Sequence, residues 1–235
     1  FFKQNTAYEI LSGLVGSEMC IRDRFSELVD PMTLGDVLAL ADSLCTFTPR
    51  AAVSPGQSAS VVVRARGENE LKEMRWGLIP PWADDERIGA KLFNARRETA
   101  DQKPAFREAW RQRRCLVPST GFYEWRRQEG GGARLQPFHF QQRDRGVFCF
   151  AGLWERWERP PTRQEELFAD TFDTPSPVLE TFTILTQPPN DLVGEYHDRM
   201  PVMLKPEHGA AWLEVGDLGA DDFVDDLLVG PAEFQ

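Results

Sequence analysis

The sequence predicts an α+β fold: a compact, β-rich domain with a mainly antiparallel, barrel-like sheet flanked by a few short helices. Three observations lead there. Between Cys115 and Leu204 six runs, "CLVP", "GFYEWRR", "PFHFQQ", "VFCFAGLWERW", "TFTILT" and "PVML", have strand length and strand composition. Turn signals such as "EGGGA" and "RDRG" separate them. Helical periodicity is confined to two segments ahead of these runs.

Along the chain, residues 1–23 fit none of this. "FFKQNTAYEILSGLVGSEMCIRD" has weak periodicity and no clear caps, and it resembles the translated read-through of a sequencing adapter. It is read as foreign to the fold. The domain itself spans 24–215. In "DPMTLGDVLALADSLC" the residues Leu34, Val37, Leu38, Ala41 and Cys45 fall at helical spacing, with Thr33 as N-cap and Asp36 in the first turn. "SASVVVRAR" (58–66) is β-branched and predicts a strand. "KPAFREAWRQRR" (103–114) predicts a helix with Pro104 in its first turn; Phe106, Ala109 and Trp110 share one face, and Arg107, Arg111 and Arg114 another. The strand runs follow. Residues 159–180, with four prolines, read as a surface loop or insertion, and 216–235 as an acidic C-terminal tail.

The 235 residues are long enough to bury a substantial core, and 41% hydrophobic content is ordinary for a globular chain. The formal charge of −10 hides an uneven distribution. Residues 214–235 carry seven acids and no Lys or Arg, whereas Arg87 to Arg114 holds nine Lys or Arg against three acids. A basic face can meet a polyanion while the acidic tail stays away from it; two oppositely charged solvated faces account for the charges equally well. The four cysteines are widely spaced, with no CxxC pair, and there are three histidines, so neither a metal nor another cofactor is expected. A reducing, cytoplasmic setting is expected. No apolar run reaches membrane-spanning length and no signal-peptide pattern is present, so no membrane partner is expected.

Four segments hold polar groups that a plain core would avoid. In "FNARRET" (93–99), Asn94 and Arg96 are two apart and share a face if extended, and Arg96 can pair with a phosphate; a solvated surface turn is the other reading. In "PSTGFYEWRR" (118–127), Glu124 lies between Tyr123 and Trp125. Burial between aromatics disfavours its charged form and suits a proton shuttle, unless period-two alternation turns it to water. In "YHDRMP" (196–201), His197 stands beside an acid and a base just ahead of a strand, a proton-transfer group or a structural histidine. In "MRWGLIPPW" (74–82), Arg75, Trp76 and Trp82 can form a stacking platform for unpaired bases or can be core packing around a rigid turn.

Taken together, "MRWGLIPPWA", "NARRET", "KPAFREAW", "RRCLVPSTGFYEWRR", "FAGLWERW", "TFTILT" and "HDRMPVML" resemble, in order and spacing, the SOS response-associated peptidase family, the abasic-site processing proteins. The resemblance runs from Arg24 to Leu213. It implies a monomeric protein that binds single-stranded DNA containing abasic sites and crosslinks to them through an N-terminal Cys, exposed by self-removal of the leading Met. It further implies that Asn94 orients the N-terminal residue and the sugar, that Glu124 deprotonates the amine, and that His197 is the acid/base for sugar ring opening and crosslink reversal. Arg24 and Arg96 would hold the phosphates flanking the lesion, and Trp125 would contact DNA beside it.

Two departures stand out. The family's "RYNIAPGQ" reads "RAAVSPGQ" (50–57), so Ala51 and Ala52 replace a Tyr and an Asn and remove a polar group from near the site. The family opens Met-Cys-Gly-Arg-Phe; aligning Arg24-Phe25 with it puts Arg22 in the Cys slot and leaves Cys20 two residues early, with an amide in place of a free amine. The chain as written is expected to lack the nucleophile. The alternative readings are a Cys-dependent autopeptidase using Cys20 with His197, and a noncovalent single-stranded DNA-binding module.

Overall fold

The computed structural model of the protein describes residues 24–29, 38, 40, 48–127, 135–160 and 178–214. The readings of 1–23, of the tail 216–235 and of the helix over 33–45, apart from Leu38 and Leu40, lie outside the described residues, as does 161–177 of the loop read over 159–180. The last three residues of that loop reading, Val178 to Glu180, are not loop but strand, paired with 156–158. The first strands are β1 (Arg24–Glu27), β2 (Arg50–Val53), β3 (Ser58–Ala65), β4 (Glu68–Trp76), β5 (Asn94–Arg96) and β6 (Arg114–Ser119). They are followed by β7 (Gly121–Arg127), β8 (Leu135–Phe140), β9 (Phe148–Glu158), β10 (Val178–Gln187), β11 (Met200–Pro201) and β12 (Met203–Leu204). The helices are short: α1 (Arg97–Ala100), α2 (Arg107–Gln112), α3 (Asp191–Gly194) and α4 (Gly209–Leu213).

The β-branched run at 58–66 forms β3 and turns back into β4 through Arg66 and Gly67, both at positive φ (51° and 85°). Two left-handed residues give a two-residue turn whose twist matches its strands. The sequence reading did not foresee β4, because five of the nine residues of "ENELKEMRW" are charged and its three apolar residues are split between two faces, Leu71 on one and Met74 and Trp76 on the other. β3 pairs with β6, β6 with β9, and β9 with β10, all antiparallel. β10 then runs parallel to β4, with Thr181 opposite Arg75 and Phe182 opposite Trp76. The five strands close into a barrel, which leaves them no free edge. A second, four-stranded antiparallel sheet has the order β2-β1-β7-β8. The α+β, mainly antiparallel and barrel-like class expected from sequence is the one observed.

Side chains alternate across each strand, so the barrel strands feed two cores. Val62, Leu116, Ala151, Leu153 and Leu185 pack with Trp110 of α2 and Trp212 of α4. Val61, Val63, Val117, Phe150 and Phe182 lie on the opposite faces and pack with Phe25, Phe122 and Phe140 of the second sheet. Each large side chain so buried contributes about 1.5–3 kcal/mol relative to exposure. Phe25 fixes β1 at this junction, with ring centroids 5.2 Å from Trp76 and 5.6 Å from Phe150.

The helix expected over 103–114 is shorter at both ends. Phe106 and Arg107 both donate their backbone N–H to the Lys103 carbonyl before α2 begins, and Arg114 opens β6. Arg114 is therefore not on a solvated helix face. It is 5% exposed, its guanidinium lies 5.4 Å from the ring of Trp110 and 4.9 Å from that of Trp212, and its Nε donates to the Trp110 carbonyl.

One backbone crossing leads the chain from the barrel to β5. Gly77, at φ 128°, leaves β4 and passes Gly89 so closely that a Cβ on either would stand 2.7 Å from the other's carbonyl oxygen. Gly77 N–H donates to the Phe182 carbonyl and Leu78 N–H to that of Leu92, which aims residues 93–96 along β10. Gly89→Ala is expected to destabilise the fold by about 1–3 kcal/mol, the usual cost of overpacking. The check is a urea titration, with a lower midpoint at unchanged m.

Candidate active site

Five separate segments bring polar groups to one cleft at the junction of the barrel and the second sheet. Its apolar floor includes Phe25, Trp76, Phe122, Phe150, Ile184 and Met200. Its rim carries Arg24 of β1, Asn94 of β5, Tyr123 and Glu124 of β7, Thr186 of β10, and His197 and Arg199 of the segment ahead of β11.

Each group reaches the rim for a local reason. β1 pairs with β7 so that Arg24 stands opposite Tyr123, and Phe25, turned the other way, anchors the strand in the core. The Arg24 guanidinium lies 5.8 Å from the ring of Trp125. β5 lies parallel to β10, with Asn94 opposite Ile184 and Arg96 opposite Thr186. Ala95 points into the core at 2% exposure, so Asn94 and Arg96 share the other face, Asn94 half-buried and Arg96 exposed. Glu124 is 6% exposed and pairs across the sheet with Phe138, while Tyr123 and Trp125 leave the opposite face. Of the two readings of this carboxylate, the structure selects burial.

His197 follows α3, whose N-cap is Asn190: the Asn190 side chain accepts from Val193 N–H at 2.9 Å. His197 N–H donates to the Val193 carbonyl at 3.0 Å. The imidazole Nδ1 lies 3.1 Å from Arg199 N, 3.1 Å from the Arg199 carbonyl and 3.3 Å from Asp198 Oδ1. Nδ1 thus meets one donor and two acceptors. The neutral ring accepts from the Arg199 N–H, and a protonated ring finds an acceptor at the same nitrogen. Arg199 itself is clamped by a bidentate pair with Glu98 of α1, at 2.8 and 2.8 Å, and by a hydrogen bond to the Thr186 carbonyl at 2.6 Å. The guanidinium holds the Glu98 carboxyl below the usual carboxylate range.

Of the residues singled out in the sequence, Asn94, Glu124, His197 and Arg24 meet at the cleft, and Arg96 lies two residues along β5 from it. Arg75 does not line the cleft; it pairs with Glu86 at 3.1 Å. Trp76, its neighbour in β4, faces the other way, is 3% exposed and donates its indole N–H to the Phe93 carbonyl. The stacking platform expected of these two is therefore not assembled, because adjacent strand residues point to opposite faces. Trp82 is the exposed indole of that stretch, at 57%. Trp125 is 7% exposed and sits beneath Arg24 behind the rim. Ala52, expected to cost the site a polar group, is not among the residues lining the cleft.

Sequence reasoning missed Thr186 and Glu98 and did not single out Arg199. Arg199 could have been found from its place two residues after His197, but the Glu98 and Thr186 contacts span 101 and 13 residues and leave no local signal. Cys20 lies outside the described residues. Cys115 and Cys149 are buried free thiols; burial pushes the first well up and the second up to about 12, so neither offers a thiolate, and neither lines the cleft. Among the described residues no group of three or more His, Cys, Asp or Glu is placed to hold a metal ion. No helix among them is long and apolar enough to cross a membrane.

The chain is 35% identical over 189 residues to the abasic site processing protein YoqW of Bacillus subtilis (strain 168), covering 80% of this chain and 75% of that one. It is 29% identical over 188 residues to the abasic site processing protein HMCES of Xenopus tropicalis, of which the match spans 51%. A solved structure of a Bacteroides thetaiotaomicron protein superimposes with a TM-score of 0.73 at 25% identity, covering 90% of this chain and 89% of that one. The model of the family described as SOS response associated peptidase (SRAP) matches residues 19–233, and with that match over nearly the whole chain the protein belongs to this family.

Proposed function

We propose that this protein binds single-stranded DNA as a monomer and processes abasic sites by forming a covalent DNA–protein crosslink through an N-terminal cysteine. The observation that carries the reading is the convergence of Arg24, Asn94, Glu124 and His197 on one cleft. The named activity of the relatives points to the same lesion.

The ring-opened abasic sugar is an aldehyde. A free α-amine, with a pKa near ~8, is partly neutral at pH 7 and adds to the aldehyde carbon. Loss of water gives an imine. The thiol of the same residue then adds sulfur to the imine carbon and its proton to nitrogen, closing a five-membered thiazolidine. One water leaves overall and no oxidant is consumed. Both nucleophiles sit on one residue, so the ring closure is intramolecular.

In this reading the buried Glu124 takes the proton that activates the amine, and Asn94 orients the amine and the sugar. His197 exchanges protons with the sugar oxygen during ring opening and crosslink reversal. A ring whose Nδ1 is hydrogen-bonded in both protonation states suits that exchange. Arg24 and Arg96 hold the flanking phosphates, and Trp125 backs Arg24 beside the lesion. The nitrogen of Cys20 is a peptide amide in the chain as written and cannot form the imine. The nucleophile is a Cys placed by Met-Cys-Gly directly ahead of Arg24, its Met removed by the protein itself.

A denaturing gel with abasic single-stranded DNA tests this. A version with Met-Cys-Gly in place of residues 1–23 gives a denaturant-resistant shifted band, and the chain as written gives none. Equal crosslinking by both would show that Cys20 is freed and used. In the repaired protein Glu124→Gln slows crosslinking by about 10²–10⁴-fold, the usual share of general acid–base catalysis.

The chain as written still binds an oligonucleotide noncovalently. Fluorescence anisotropy across a salt series reads log K falling with log salt by about −0.7 per phosphate neutralised, and Arg96→Ala makes the slope shallower by about that amount. Salt-independent binding would sink the proposed phosphate contacts.

The Glu98–Arg199 clamp contributes a pH dependence. Its carboxyl is held below the usual range, so its stabilisation is present above the unfolded pKa of about 4.3 and is lost as pH falls through the folded value. Melting temperatures of the parent and Glu98→Gln are expected to differ at pH 7 and to converge in acid.

A further inference from the structure

His197 sits between α3 and β11 on a segment without regular structure, so its ring is only as well placed as its anchors. One anchor is polar: Arg199 ties the far side of the segment to Glu98 and to the Thr186 carbonyl, on the β5 and β10 side of the cleft. The other is aromatic and approaches from the opposite side. The ring of Tyr196 meets Phe138 at 4.5 Å and Phe140 at 5.3 Å, both on β8.

Phe138 is the residue directly opposite Glu124 in the β7–β8 ladder, so the two side chains leave the same face of the second sheet as neighbours. Tyr196 touches that neighbour of Glu124 with its ring and carries His197 on the next peptide unit. The turn between them is tied down, since the N–H groups of Tyr196 and His197 both donate to the Val193 carbonyl, at 2.9 and 3.0 Å. The ladder pair Glu124–Phe138, the ring contact Phe138–Tyr196 and the peptide link Tyr196–His197 therefore connect two polar groups of the cleft through residues outside its lining. Without the Tyr196 ring the segment keeps its backbone bonds to Val193 and its Arg199 anchor but loses its side-chain contact with the second sheet.

We infer that Tyr196 is a positioning residue, which through Phe138 sets His197 against Glu124. The inference rests on the roles proposed above for that pair. Tyr196 touches none of the reacting atoms; it acts through the place it gives to His197.

The test compares the parent with Tyr196→Phe, Tyr196→Ala and Phe138→Leu, each in the chain as written and in the repaired protein. Circular dichroism establishes that each variant is folded. The chain has three histidines, so two-dimensional nitrogen–proton spectra of the imidazoles can follow His197 by itself in the chain as written. Tyr196→Phe keeps the ring contact and leaves the His197 signals at their parent positions. Tyr196→Ala and Phe138→Leu remove the contact from opposite sides, and both shift the Nδ1 signal that reports the bond to Arg199 N–H. In the repaired protein the same two variants slow crosslink reversal by about tenfold or more, the scale of a misplaced catalytic group, and change the pH profile of that step. Oligonucleotide affinity stays within about twofold of the parent, since no phosphate contact is lost.

His197 signals and reversal rates that stay at parent values in folded Tyr196→Ala would overturn the inference. So would a loss in Tyr196→Phe equal to that in Tyr196→Ala. If the repaired parent itself forms no crosslink while Tyr196→Ala shifts the His197 signals, the crosslinking reading falls and the positioning of His197 by Tyr196 stands.

Discussion

One strand holds this molecule together. β10 pairs antiparallel with β9 along seven residues, parallel with β4 at Thr181 and Phe182, and parallel with β5 from Ile184 to Thr186. The first two pairings close the barrel, and the third hangs Asn94 and Arg96 on its mouth. Such parallel contacts between distant segments must form against loop-closure entropy, so they are held by what they bury. Phe182 stacks on Trp76 at 6.3 Å, Ile184 and Leu185 enter opposite cores, and the Thr181 hydroxyl takes the Ile79 N–H where the chain leaves β4.

The cleft exists because two sheets share a core without merging. Phe25, Phe122 and Phe140 of the second sheet pack against Phe150 and Trp76, and above them the sheets diverge into polar walls. The alternation that buries Phe25 puts Arg24 on the rim, and the alternation that buries Ala95 exposes Arg96. Glu124 breaks that rule usefully: it takes a core-facing position in β7, where a carboxylate is costly, and pairs across the sheet with an aromatic ring. A group kept at such cost fits a role in chemistry better than one in stability.

Charge is distributed to the same end. A chain with a formal charge of −10 presents Arg24 at the cleft and Arg96 beside it, while the charge of Arg199 is met by Glu98. The thiols of Cys115 and Cys149 are buried in apolar surroundings and remain protonated, so neither serves as a nucleophile.

The sequence by itself determined the class of fold and most of the strands, because β-branched and aromatic runs bounded by Gly and Pro are local signals. It also marked Asn94, Glu124 and His197 as polar groups in unusual settings, and the order of its motifs pointed to the family. It could not separate a buried Glu124 from a solvated one, since alternation leaves the sign of the face open until a partner sheet chooses it. It misjudged Arg114, whose helix stops short because β6 needs that residue to begin the strand under Trp110 and Trp212. Trp76 and Arg75 looked like one platform and lie on two faces of β4. The tertiary structure alone decided which polar groups meet. Asn94, Glu124 and His197 are brought together by pairings between strands far apart in sequence, and their mutual geometry rests on the Glu98–Arg199 and Tyr196–Phe138 contacts, which span 101 and 58 residues. Local propensity carries no information at that range; closure of the barrel by β10 does.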